Sequence, residues 1–130
     1  MSTRIHVPRD SAALAVGADA LARALESIAR AVRDGHMHAS SQVYTRFLEM
    51  FGLVACAWAL LEAACIAERR LATREVAAEP AEAAFYRGKV KAARYCFANL
   101  LPLAAQHAAA IDALPDIACA ITAEELAEVE

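Results

Sequence analysis

The sequence predicts an all-α protein, an antiparallel up-down bundle of three long helices with a short C-terminal helical element. Apolar residues make up 59% of the 130 residues, and many of them are alanine, the best helix former. Only four glycines and four prolines interrupt the chain, and apolar residues recur at helical spacing over three long segments. This length suits one domain with a modest core, so we assign residues 1–130 to a single helical bundle.

The first helix is predicted to start at Asp10 or Ser11, because either side chain can cap a helix N-terminus. Gly35 is predicted to end it, as glycine commonly does just past the last helical residue. Between them, apolar residues recur at alternating spacings of four and three, which indicates one core-facing stripe. That stripe consists of Leu14, Ala18, Leu21, Leu25, Ile28 and Val32.

The second helix is predicted to run from Ser40 or Ser41 to about Ala72, and it is apolar on most sides. A helix of this kind belongs at the centre of a bundle, and we interpret Gly52 as a point of close approach by a neighbour. Residues 50–67 approach the length of a membrane span, but Glu62 among them favours a buried core helix. The predicted core stripe is Tyr44, Phe47, Phe51, Val54, Trp58, Leu61 and Cys65, with a second face of Leu48, Met50, Leu53, Ala57, Leu60 and Ala64.

The third helix is predicted to begin at Pro80, which fits a first helical turn, and to kink at Pro102. Beyond it, Thr122 and Glu125 have the spacing of a capping box for the short terminal element. Its predicted core stripe is Tyr86, Val90, Ala93, Phe97, Leu100, Ala104, Ala108 and Ile111, and its other side carries Arg87, Lys91 and Arg94.

Charge and cysteine content narrow the possible functions. The net charge of −3 lacks the basic excess typical of nucleic-acid binders. The four cysteines (Cys56, Cys65, Cys96 and Cys119) lack metal-ligand spacing and are predicted to be buried thiols of a cytoplasmic protein. His36 and His38 could bind a metal only if further ligands converged, so we favour solvated loop histidines and expect no metal site.

No nucleophile motif or glycine-rich phosphate loop appears, so we predict no catalytic and no cofactor-binding residues. Glu62 is the candidate buried titratable group; we favour its exposure at the rim, or pairing with Lys91 or Arg94, over a catalytic role. The basic side of the third helix is either a plain solvated face or a docking surface. In the second case the candidate interaction surface is Phe85, Arg87, Lys91, Arg94 and Tyr95.

Two segments resemble one family. Residues 47–58, "FLEMFGLVACAW", and residues 84–111, "AFYRGKVKAARYCFANLLPLAAQHAAAI", are similar to two motifs of the C-terminal module of long acyl-CoA dehydrogenases. Enzymes of the 3-methylmercaptopropionyl-CoA dehydrogenase type carry this module. The resemblance covers about residues 10–120 and includes the steps Gly88-Lys89 and Leu101-Pro102. The first helix matches only in its amphipathic form.

This resemblance implies a relation to fatty acid metabolism but not the family's chemistry. In the full-length enzymes FAD is bound, and a glutamate abstracts the substrate proton, in regions preceding the module, and nothing here aligns with them. We therefore expect a stand-alone, non-catalytic accessory domain without FAD, forming a homodimer or docking on a separately encoded acyl-CoA dehydrogenase. Six residues match motif positions of the family, but the resemblance assigns them no role. They are Phe85, Tyr86, Gly88, Lys89, Arg94 and Phe97. The alternatives are a bundle that binds an acyl chain or acyl-CoA between the second and third helices, and a flavin enzyme using Glu62.

Overall fold

The structure, a computed structural model, describes residues 5–120 and 122–127, and for residues 38–42 and 114–120 it describes the backbone alone. Every regular element in the described part is helical, which confirms the all-α prediction. The helices are α1 (Val7–Arg33), α2 (Met37–Leu71), α3 (Arg74–Ala78), α4 (Pro80–Tyr95) and α5 (Leu103–Ala120), with a π-helical turn at Cys96–Leu100.

The predicted third helix is therefore two α-helices, α4 and α5, separated by the π-helical turn and by Leu101 and Pro102. Pro102 lacks the N–H that would continue the backbone ladder, which explains a break at this point. The prediction of three long helices is not confirmed in that form, whereas the predicted kink is. The predicted terminal helix is a hydrogen-bonded turn at 123–126 in the described residues.

The N-terminus of α1 differs from the sequence prediction. The helix begins at Val7, and the Nδ1 atom of His6 accepts a hydrogen bond from the Arg9 N–H at 3.2 Å as its cap. Asp10 is buried and accepts the His6 N–H at 3.0 Å and the Arg9 side chain at 3.0 Å. Asp10 therefore accepts a hydrogen bond from the backbone N–H of the residue just before the helix, and it is not the N-cap residue itself.

Alanine forms much of the core. Of the 20 buried hydrophobic residues in the described part of the chain, nine are alanine, so the helices approach one another closely. The largest fully buried side chains include Met50, Ile111 and Val43. A first cluster joins α1, α2, the π-helical turn and α5, and a second joins Ile5 with α2 and α4.

The close helix approach occurs at Gly17 and not at Gly52. A Cβ atom on Gly17 would lie 3.0 Å from Leu101 Cδ1 and 3.4 Å from Val54 Cγ2, whereas a Cβ on Gly52 would meet nothing within 4 Å. The interpretation of Gly52 was therefore wrong, because the side of α2 that carries it faces a groove. Gly17 is buried at the point where α1 meets α2 and Leu101.

The large apolar side chains lie mostly outside this core. None of the eight aromatic residues is fully buried, and the predicted α1 stripe is displaced: Leu25 and Val32 are exposed, while Ala20, Ala24 and Ala31 are buried. Small residues permit two helices to pack more closely, so the alanine side of α1 faces the core. The buried positions of α1 are therefore shifted by about one residue from the predicted stripe.

α2 is not the fully buried helix that the sequence predicted. Its segment Val43–Leu71 is long and apolar enough to cross a membrane by length and composition, with only 28% of its most apolar window buried. A buried core helix of a water-soluble bundle passes the same test, so this property alone does not indicate a membrane span. It does show that α2 exposes much apolar surface.

The predicted capping box is confirmed. The Thr122 N–H donates to Glu125 Oε2 at 2.8 Å, and the Glu125 N–H donates to Thr122 Oγ1 at 3.3 Å. The bonds from the Thr122 backbone and then its side chain lower the pKa of Glu125, because they favour the ionised carboxylate.

Thr122→Ala removes the side-chain bond and keeps the backbone bond, so we expect it to raise the Glu125 pKa part of the way towards its ordinary value, as measured by an NMR titration of the carboxyl carbon. The folded pKa lies below the unfolded one, so the capping contribution is present above the unfolded pKa and disappears as pH falls through the folded pKa. An unchanged titration in Thr122→Ala would contradict this assignment. Thr45→Ala, remote from the turn, serves as the control.

Candidate association surface

The five predicted interface residues on α4 occupy two separate places. Phe85 and Tyr95 are 58% and 62% exposed, and Arg87 and Lys91 are also exposed, while Arg94 is half-buried. Since an α-helix turns about 100° per residue, the three basic residues lie roughly 120–180° around α4 from Phe85. Of the two aromatic residues, only Tyr95 lies on the same side of α4 as Lys91. The structure therefore does not join all five residues into one patch.

Phe85 makes local contacts on its own side of α4. The Lys89 ammonium lies 5.1 Å from the centre of the Phe85 ring, and the rings of Phe85 and Tyr86 meet edge to face with centroids 5.4 Å apart. Cation–π and edge-to-face contacts are both favourable. They order Phe85 on the helix surface while leaving more than half of it accessible.

Glu62 is exposed, which agrees with the favoured interpretation of the sequence, so it is not a buried titratable group. The cause is the orientation of α2: the residue follows Trp58 on the outer side of the helix, and Trp58 is itself 57% exposed. The exposed position of Glu62 leaves no structural basis for the proposed proton-abstracting role.

α1 and α2 lie side by side in opposite directions. Gly17 faces Val54, and the start of α1 shares a groove with the C-terminal half of α2, where Leu14 lies near Trp58. Large apolar groups on both helices consequently border the same valley. We call its exposed residues the α1–α2 face: Val7, Leu25 and Val32 from α1, and Tyr44, Leu48, Phe51, Trp58 and Ile66 from α2.

The α1–α2 face is the largest concentration of exposed apolar groups in the described residues. On α2, Tyr44, Leu48, Phe51 and Trp58 are 48%, 69%, 52% and 57% exposed. Contiguous apolar surface of several hundred Å² on a small domain marks a contact site for a protein, a membrane or a ligand. Aromatic side chains in particular are enriched in protein interfaces.

A second groove lies between α2 and the π-helical turn with the start of α5. It has a volume of about 370 Å³, and its lining is almost wholly apolar. Gly52 leaves its floor open, and His107 lies at one end with its Nε2 3.7 Å from Glu49 Oε2. The lining residues are Glu49, Gly52, Leu53, Cys56, Cys96, Leu100, Leu103 and His107.

The two cysteines of this groove differ in exposure. Cys56 is exposed, contrary to the prediction that all the cysteines are buried, whereas Cys96 is buried; Cys119 lies outside the described side chains. Burial, and secondarily the nearby Cys56, raise the pKa of the Cys96 thiol. Because the thiolate is the reactive form, Cys96 should be nearly inert at neutral pH.

We expect N-ethylmaleimide to modify Cys56 well before Cys96 at pH 7.5, as measured by mass spectrometry of quenched time points. Cys56→Ser should remove the early adduct, and urea should release Cys96. Equal rates at both thiols in the folded chain would contradict the structure. Since its folded pKa is raised, the contribution of Cys96 to stability is lost as pH rises from the unfolded pKa through the folded one.

Comparison with known families agrees with the sequence resemblance. The family described as "Acetyl-CoA dehydrogenase C-terminal like" matches residues 7–122. The chain belongs to this family. No curated protein and no solved structure matches the chain significantly. The family match begins at the first residue of α1 and reaches just beyond α5, so the acyl-CoA dehydrogenase C-terminal module comprises the whole helical bundle.

The motif positions of this module have mainly structural surroundings. Tyr86 and Phe97 are half-buried against the second core cluster, and Phe97 also borders the first. Phe85 and Lys89 form the cation–π contact on the surface of α4, and a Cβ on Gly88 would meet nothing within 4 Å. The packing of Tyr86 and Phe97 accounts for those two positions, while Gly88 and Lys89 remain accessible to a partner.

The glycines inside the helices do not form the kind of phosphate cradle that commonly holds a dinucleotide such as FAD. Dinucleotide phosphates are bound where closely spaced glycines let the backbone approach at a helix N-terminus. Here Gly17 is packed against Leu101, and Gly52 and Gly88 lie singly inside α2 and α4. Neither these glycines nor the two apolar grooves provide such a phosphate cradle. We derive no flavin chemistry for this chain.

Sequence reasoning assigned the α2 members of the α1–α2 face to the wrong side of the helix. Tyr44, Phe51 and Trp58 recur every seven residues, as a core stripe does, and their size favoured burial. The signal that could have separated the two sides was the alanine content of the opposite side, where Ala57, Ala64 and Ala67 are fully buried. Where two helices pack closely, small side chains are required at the contact, and the large side chains of α2 therefore lie on the opposite, exposed side.

Proposed function

We propose that this member of the acyl-CoA dehydrogenase C-terminal family is a non-catalytic accessory domain that associates with other proteins. It would self-associate or dock on a separate acyl-CoA dehydrogenase, in the cytoplasm and in the service of fatty acid oxidation. The α1–α2 face carries this proposal, because it exposes Leu48, Phe51 and Trp58 by half or more. The motif resemblance further suggests the module of the 3-methylmercaptopropionyl-CoA dehydrogenase type.

The proposal is tested by size-exclusion chromatography with light scattering, on the chain alone and mixed with an acyl-CoA dehydrogenase of the same organism. We expect a mass above 13.9 kDa, or co-elution with the dehydrogenase, at tens of micromolar. An absorbance scan of the purified chain should show no flavin band. A monomer at every concentration that also fails to bind the dehydrogenase would contradict the proposal.

A second candidate function is binding of an acyl chain or acyl-CoA. The groove between α2 and the π-helical turn favours it, since about 370 Å³ of almost wholly apolar volume lies within the range of small-ligand sites. It also lies between α2 and the region predicted as the third helix. The α1–α2 face and this groove are on different sides of α2, so substitutions can test the two functions separately.

Native mass spectrometry and thermal unfolding with palmitoyl-CoA test this candidate. The expected result is a bound acyl species and a higher melting temperature in the natural chain. Gly52→Leu should abolish both effects, because a side chain at residue 52 would project into open space in the groove. Gly88→Leu, also open but on α4, is the matched control. Neither a bound species nor a shift in the natural chain would exclude this function.

A further inference from the structure

The outer side of α2 has the residue spacing of a helix that pairs with another helix. Six positions on this side follow one another at spacings of 4, 3, 4, 3 and 4, and all are exposed except Ala55, which is half-buried. They form the outer stripe of α2: Tyr44, Leu48, Phe51, Ala55, Trp58 and Glu62. Such spacing over three turns or more is typical of coiled-coil contacts. The inner side, with Val43, Met50 and Ala57, is already occupied by the core.

This outer stripe is symmetric about residue 53. When a second α2 is placed in the opposite direction around a twofold axis at that point, each stripe position faces another. Phe51 then faces Ala55 of the second copy, Leu48 faces Trp58, and Tyr44 faces Glu62. A twofold contact requires this kind of self-complementary surface.

The opposed pairs are also complementary in size and polarity. Phe51 is large and Ala55 is small, so two helices can approach closely at the centre of the contact. Glu62 is the single carboxylate of the stripe, and it lies at the end of the contact, opposite Tyr44 of the second copy. The one charged group in the contact therefore remains at the edge, where water reaches it.

The exposed apolar area is a substantial part of what a stable dimer buries. The three aromatic side chains of the α1–α2 face, of about 150–250 Å² each and about half exposed, present roughly 300 Å² per copy, and the five aliphatic side chains of the face add to this area. Stable protein interfaces bury about 800 Å² per partner. On α1, Val32 and Leu25 are 37% and 54% exposed. They would extend the contact beyond the surface that the two α2 helices alone provide.

We propose that two copies of this chain pair through the outer stripes of α2, in opposite directions, around a twofold axis near residue 53. This inference rests on the proposed association function and specifies its partner and geometry. A membrane surface is the less favoured occupant, because interfacial helices carry many Lys and Arg on their polar sides. The net charge here is −3, and Glu62 lies within the stripe.

Leu48→Glu is the decisive substitution. Leu48 is 69% exposed, so the variant should fold as the natural chain does by circular dichroism. Facing Trp58 of the second copy, the new carboxylate should weaken dimerisation at least 100-fold in sedimentation equilibrium. Phe85→Glu, an equally exposed apolar position on α4, should leave the dimer intact. A dimer that survives Leu48→Glu, or dissociates with Phe85→Glu, would overturn the proposal.

Disulfide trapping tests the geometry of the pairing. With Cys56 replaced by serine, a mixture of Phe51→Cys and Ala55→Cys chains should form a cross-linked dimer at least tenfold faster than either variant alone. Helices paired in the same direction would instead trap each variant with itself faster than the mixture, and that result would overturn the proposed arrangement.

Other outcomes separate this inference from the proposed function. A natural chain that is monomeric alone but co-elutes with the dehydrogenase would overturn self-pairing and leave the association function standing. A monomer that floats with vesicles of 30% phosphatidylserine would overturn self-pairing in favour of a lipid surface. A chain that binds neither itself nor the dehydrogenase would contradict both proposals.

Discussion

Met50→Ala is expected to destabilise the folded chain by about 3 kcal/mol, because it leaves a cavity in the core. Met50 is completely inaccessible and packs in the first core cluster with residues of α1, α2 and α5. Four members of that cluster are alanines, Ala20, Ala24, Ala57 and Ala104, and their short side chains cannot move in to fill the space. The expected loss lies within the usual range of about 2–5 kcal/mol for such substitutions.

Urea unfolding followed by circular dichroism measures this loss, with Val16→Ala as the matched control. Val16 is 64% exposed on α1 and away from the α1–α2 face, so its truncation should change stability by no more than about 0.5 kcal/mol. Equal effects of the two substitutions would show that the inner side of α2 is assigned incorrectly.

Gly17→Leu should cost a similar amount, about 3 kcal/mol, by overpacking. A Cβ atom on residue 17 already lies 3.0 Å from Leu101 Cδ1 and 3.4 Å from Val54 Cγ2, and leucine adds three further carbons. The added atoms would separate α1 from α2 and from the turn that precedes α5. Gly17→Ala should be nearly neutral, because the greater helix propensity of alanine offsets the small shift of one leucine methyl.

Two further variants separate overpacking from propensity. Gly88→Ala, at an open helical position, should stabilise the chain by up to about 1 kcal/mol. Leu101→Ala introduced together with Gly17→Leu should recover part of the loss, since the two side chains compete for one space. If Gly17→Leu unfolds no earlier than the natural chain in thermal melts, the contact with Leu101 is not present in solution.

The helical class was predictable because it depends on local properties of the chain. Alanine content and the scarcity of glycine and proline are visible in the sequence, as is the break near Pro102, whose missing N–H acts locally. The start of α1 was not predictable, because it depends on which of the two polar residues His6 and Asp10 becomes buried. His6 takes the capping role, and Asp10 is buried against the segment that precedes the helix.

The orientation of α2 could not be predicted from its sequence, and the candidate surface therefore moved. With apolar residues on both sides of the helix, Met50 and Leu48 were equivalent in the sequence, yet Met50 is fully buried and Leu48 is 69% exposed. Which side faces inward depends on how well the neighbouring helices fit, a tertiary property. Of the α4 candidates Arg94 is half-buried and the other four are exposed, and periodicity alone shows that Phe85 and Arg94 point apart.

The alanine-rich interior has a calorimetric consequence. The heat capacity increase on unfolding reflects apolar surface newly transferred to water, and typical chains show about 12–15 cal/mol/K per residue. In this chain Leu48, Phe51 and Trp58 are largely hydrated before unfolding begins. The separated monomer should therefore have an unusually small heat capacity increment, and hence a flatter dependence of stability on temperature. Most of the missing increment should be found in the association step.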